Sequence, residues 1–88
     1  MNWTNAEQSV LAALSAITGR GVSATDRLEA DLGLDSVELA ELAARLRERC
    51  GVELIDLLRS LTVDELVGLT VGRVAEFVAV RQAMEPIR

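Results

Sequence analysis

Asp31-Leu32-Gly33-Leu34-Asp35-Ser36-Val37-Glu38-Leu39, continued through Leu42 and Leu46, is the stretch on which the fold turns. Gly33 permits a sharp turn, and Asp35 or Ser36 can accept a backbone N–H and so open a helix. From there Val37, Leu39, Ala40, Leu42, Ala43 and Leu46 form a broad apolar stripe. Glu38, Glu41, Arg45 and Glu48 fall largely toward water. Gly51, just past Cys50, supplies the stop. No segment alternates with period two between hairpin turns, so the chain reads as all-α.

On the N-terminal side, Val22 to Leu34 is a long connector pinned by apolar anchors at Val22, Leu28 and Leu32. Before it, Thr4 with Glu7 predicts a capping box for a first helix through Val10, Leu11, Leu14 and Ile17, ended by Gly19 and Gly21. Trp3 ahead of that cap is expected to act as a packing staple. On the C-terminal side, Leu54 to Leu61 is apolar but too short to declare its type; it is expected to be loop with at most one helical turn, with Ile55 to Leu61 covering the core and a partner-docking patch or a lining for a bound acyl chain as the alternative. Thr62-Val63-Asp64-Glu65 repeats the capping-box pattern for a short helix ending near Gly68. Thr70 can cap a last one through Val71, Val74, Phe77, Val78 and Val80, and Pro86 marks the end of regular structure. The expectation is one domain over residues 1–88 with four helices and a long loop between the first and second.

Composition narrows the function. With 88 residues there is room for a single small core, and with Trp3 and Phe77 as its aromatics the aliphatic residues must fill it. The formal net charge is −5 and all nine basic residues are arginine, so a nucleic-acid backbone would be repelled, whereas proteins with basic patches would be attracted. With no histidine and only Cys50, histidine catalysis, an internal disulfide and an ordinary zinc site are all excluded. Cys50, at a helix end with no base to activate it, reads as packing. No charged start followed by an apolar stretch and no unbroken apolar run is present, so the chain is expected to be cytoplasmic, away from membranes, and a monomer.

Ser36 at a helix N-terminus has its own chemistry, because the unpaired N–H groups and the helix dipole there favour an attached phosphate. Taken alone, the residue could be nothing more than an N-cap. The Asp-Leu-Gly-x-Asp-Ser run before an amphipathic helix in a short acidic chain resembles the phosphopantetheine attachment motif of acyl carrier proteins, and the similarity extends over most of the chain. The resemblance implies a small four-helix bundle with no catalysis of its own. A phosphopantetheinyl transferase would move the 4'-phosphopantetheine arm of coenzyme A onto Ser36, with Asp35 assisting and helping to hold magnesium. Leu34, Val37, Glu38 and Glu41 would face partners such as acyltransferases, ketosynthases or acyl-activating enzymes with basic docking patches.

Three features depart from that pattern. Val37 stands where leucine is more usual, Arg45, Arg47 and Arg49 confine the acidity of the helix to its start, and the Gly51–Thr70 stretch is longer and more apolar. Arginine without lysine, abundant Ala, Leu and Val, and a second helix less acidic than that of a housekeeping carrier fit polyketide or other specialised acyl synthesis better than housekeeping fatty-acid duty. A peptidyl carrier is the nearest alternative, although Gly33-Leu34 replaces the paired glycines common there. An unmodified helical interaction module is the alternative from another class, and Ser36→Ala separates it.

Overall fold

The computed structural model describes residues 3–83, with side chains from residue 5 onward. Five helices follow in order: α1 (Trp3–Thr18), α2 (Ser36–Cys50), α3 (Leu54–Ser60), α4 (Val63–Val67) and α5 (Val71–Ala83). Among the described residues there is no strand, only an isolated bridge between Arg27 and Thr70. The helix caps fall largely where the residues place them. Thr62 and Glu65 close a reciprocal box on α4, and the Thr70 hydroxyl accepts from the N–H of Arg73. Gly19 and Gly51 end α1 and α2, their N–H groups donating to the carbonyls of Ser15 and Arg47. The cap expected of Thr4 and the packing expected of Trp3 rest on side chains outside the described residues, as does Pro86; α1 itself begins at Trp3, so Thr4 lies within it.

The fifth helix is the departure from the expected four. Residues 54–60 form a full α-helix where loop with at most a turn was expected. Leu54 and Leu57 are buried while Leu58 and Leu61 pack against the same core, an i, i+3, i+4, i+7 set that needs tertiary neighbours to act as a stripe. Glu53 at its N-cap makes no side-chain cap, so no punctuation announces the helix. The segment does cover the core, as anticipated.

One hydrophobic cluster holds the elements together, with Val10 and Leu14 of α1, Leu42 and Leu46 of α2, and Val74 and Val78 of α5 fully buried in it. Cys50 is free and half-buried against this cluster. The α1–α2 loop contributes Leu28, Leu32 and Leu34 and is fastened to the start of α5 by main-chain bonds. The N–H of Leu28 donates to Leu69 O (2.9 Å), that of Val71 to Asp26 O (2.9 Å), and that of Gly72 to Ala24 O (2.8 Å). Gly72 allows this approach, since a Cβ there would lie 3.1 Å from the Ala24 carbonyl oxygen. Because α2 and α5 both start where the loop is fastened, they run away from one shared pole. At the other, Arg81 near the end of α5 meets Asp56 of α3 at 3.6 Å.

Candidate functional site

Ser36 is the first residue of α2 and is exposed to solvent. Its position is set from both sides. Upstream, Gly33 takes φ +66°, a left-handed conformation costly for any residue with a Cβ, and donates its N–H to Glu29 O (3.0 Å). Leu34 is then drawn inward, its N–H bonded to Leu28 O (3.0 Å). Downstream, Asp35 caps the helix: its Oδ1 accepts from Glu38 N–H (2.8 Å), and Glu38 Oε1 accepts in return from Asp35 N–H (3.1 Å).

Capping therefore belongs to Asp35, and the reading of Ser36 as merely an N-cap does not hold. Among the described residues the Ser36 hydroxyl makes no hydrogen bond, and the N–H groups of Ser36 and Val37 are unused as well. A hydroxyl standing in water beside two free N–H donors and the positive end of a 15-residue helix suits a phosphodiester.

The residues expected around it divide. Val37 is 74% exposed and stands on the surface beside Ser36. Glu38 is half-buried with its carboxylate engaged in the cap. Glu41, further along α2, is exposed but clamped by Arg45, whose Nε and Nη2 lie 3.1 and 3.0 Å from its Oε2. Leu34, expected to face partners, is corrected by the structure: only 5% exposed, it points into the core. The sharp turn at Gly33 that carries the chain into α2 requires an apolar side chain on its inner side.

Leu34 has another setting that its expected role did not include. With Leu28, Leu39, Leu66 and Leu69 it lines a cleft of about 40 Å³, with Glu29 at the same lining; Leu34 and Leu39 flank Ser36 in sequence. Leu66 and Leu69, on either side of Gly68, were not singled out from the sequence, since neither belongs to a motif and both come to α2 only through the folding back of α4. A few water-sized volumes fit there, and the walls are hydrocarbon.

Asp31 anchors the loop. Its Oδ2 accepts from Arg27 N–H (2.7 Å) and from Arg27 Nε (3.3 Å). The backbone hydrogen bond from Arg27, then the side-chain one, hold the Asp31 carboxyl below the usual carboxylate range.

A small helical bundle presenting an unengaged, exposed serine at the start of a helix that its neighbour Asp35 caps has the form of a carrier: a protein to which a group is attached and on which it is presented. Comparison with protein families matches residues 8–78 to the phosphopantetheine attachment site model, and the chain belongs to that family. No curated protein and no solved structure matches it. The cofactor is accordingly covalent 4'-phosphopantetheine, and the chain is a phosphopantetheine-carrying carrier protein; carrier domains of this family work with a phosphopantetheinyl transferase and biosynthetic enzymes. No helix among the described residues is long and apolar enough to cross a membrane.

Proposed function

We propose that this carrier is of the acyl type, holding acyl intermediates of polyketide or related specialised synthesis as thioesters on an arm attached to Ser36. The observation that carries the assignment of the residue is the free, exposed Ser36 hydroxyl at the start of α2, with Asp35 relieving it of the cap. During modification the hydroxyl gives up its proton and forms an O–P bond to coenzyme A, whose pyrophosphate link breaks as the nucleotide leaves. Asp35 keeps α2 wound at that point and adds a carboxylate where a transferase-bound magnesium ion can use it. Once attached, the arm supplies a thiol that forms the thioester.

Two observations favour an acyl over a peptidyl cargo. Leu34 replaces the second glycine of the peptidyl motif, and the cleft lined by Leu34 and Leu39, which flank Ser36 in sequence, is walled by leucines, a better match to hydrocarbon than to a charged aminoacyl group. The partners proposed are acyltransferases, ketosynthases or acyl-activating enzymes bearing basic docking patches, approaching over Val37 and the acidic start of α2.

The test is intact-protein mass after incubation with coenzyme A, magnesium and a broad-specificity phosphopantetheinyl transferase, beside Ser36→Ala. The parent gains one phosphopantetheine group and the variant none. A folded parent that gains nothing, while a known carrier is modified in parallel, would return the chain to an unmodified interaction module.

A further inference from the structure

Charge is distributed unevenly along the bundle. The loop and the first half of α2 carry Asp26, Glu29, Asp31, Asp35, Glu38 and Glu41 against Arg20 and Arg27, and α4 adds Asp64 and Glu65. Past the midpoint of α2 the balance reverses, with Arg45, Arg47, Arg49 and Arg59 against Glu48, Glu53 and Asp56. Since α2 rises about 1.5 Å per residue, its 15 residues separate the two regions by about 20 Å.

Within the second region the outer face of α3 meets the outer edge of α5. Leu54 and Leu57 turn inward, leaving Ile55 46% exposed and Arg59 one helical turn further on the same side. On α5, Val80 is 50% exposed, and the Arg81–Asp56 pair at 3.6 Å, made by the residues that follow Val80 and Ile55 in sequence, ties the two helices together. Arg81 also lies over the Phe77 ring, 5.0 Å from its centroid, which holds its guanidinium in place. Among the described residues Arg59 has no ion-pair partner. The patch thus combines two exposed aliphatic side chains with an uncommitted guanidinium, on a chain whose net charge is of the opposite sign.

We infer that Ile55, Arg59 and Val80 form a second docking surface, separate from the Ser36 pole, for an acidic amphipathic helix of a partner protein. Two aliphatic anchors suit the apolar face of a helix, and Arg59 suits a carboxylate at its margin. A basic partner is drawn to the opposite pole instead, so one carrier can hold an acidic partner here while the arm on Ser36 is served by others.

The experiment titrates the ¹⁵N-labelled full chain with two synthetic amphipathic helical peptides that share a leucine face, one with a glutamate polar face and the other with lysine, and follows amide shifts. The glutamate peptide is expected to shift α3 and the end of α5, with affinity falling about tenfold in Arg59→Glu. A similar loss is expected in Ile55→Asp. The lysine peptide is expected to shift the start of α2 and α4. Absent binding of the glutamate peptide, shifts of the same residues by both peptides, or unchanged affinity in both variants would overturn the inference. The intact-mass assay runs in parallel on Arg59→Glu. Modification at the parent's rate confirms that the variant is folded and that the two surfaces act independently, and a slowed rate counts against that independence. Failure of the parent itself to be modified would sink the carrier reading without touching the titration.

Discussion

Asp35 performs two tasks that a pair of substitutions can separate. Asp35→Ala removes the oxygen that accepts from Glu38 N–H and is expected to cost about 1 kcal/mol of stability, read by urea denaturation. Asp35→Asn keeps an acceptor of the same shape, so stability should hold. If the carboxylate charge assists modification at Ser36, the asparagine variant is nevertheless modified more slowly in the mass assay. Parent-like modification of Asp35→Asn would reduce Asp35 to a cap.

Asp31 gives a pH dependence of known sign. Its carboxyl is held below the usual range in the folded chain, so its contribution is fully present above the ordinary aspartate pKa, about 4, and is lost as pH falls through the lower folded value. Thermal melts of the parent and Asp31→Asn should therefore differ at neutral pH and converge in strong acid. A difference that persists unchanged into strong acid would show that something other than ionisation sets it.

Among the elements, α3 is where the sequence was least legible. The start of α2, both short-range capping boxes near Asp35 and Thr62, and the split of the last segment into α4 and α5 are all written locally, in residues three apart. What α3 is made of can be read, but its leucines become one face only when α2 and α5 stand on either side. The same distinction explains the site: Ser36 could be found from its motif, whereas the cleft needed Leu34, Leu39, Leu66 and Leu69 to be assembled from three parts of the chain. Leu34 was misplaced for a related reason, since flanking the serine in sequence says nothing of which way the turn at Gly33 directs its side chain. The helix that punctuation failed to announce is firmly part of the core. Leu57→Ala should cost about 2–5 kcal/mol by chemical denaturation, and Ile55→Ala on the outer face of the same helix about 0.5 kcal/mol or less. Equal costs would mean that α3 does not pack as described.

For the molecule as a whole, the gathering of carboxylates around Ser36 makes encounter with a basic partner an electrostatic event. Raising salt from about 0.05 to 0.5 M shortens the screening length from over 10 Å to under 5 Å, and the initial rate of Ser36 modification at subsaturating carrier should fall several-fold. Flat initial rates across that range, in a transferase with a basic docking face, would show that the apolar surface at Val37 dominates docking. The total charge of −5 understates this effect, because most of the arginines lie beyond the first half of α2.

The fastening of the α1–α2 loop to α5 has a bearing on how such a protein can change. Leu28, Asp26, Ala24, Leu69, Val71 and Gly72 are joined through peptide groups that every sequence supplies, and of these positions only Gly72 is constrained in side chain by the bond itself. Thr25 between these attachments, and Ser23, Glu29 and Ala30 flanking them, can be exchanged without undoing them. The molecule thus resembles a socket whose mounting is separate from its faceplate. Carriers for different clients could be drawn from one frame by redrawing a handful of loop positions, and directed variation confined to those four sites is a practical way to retarget it.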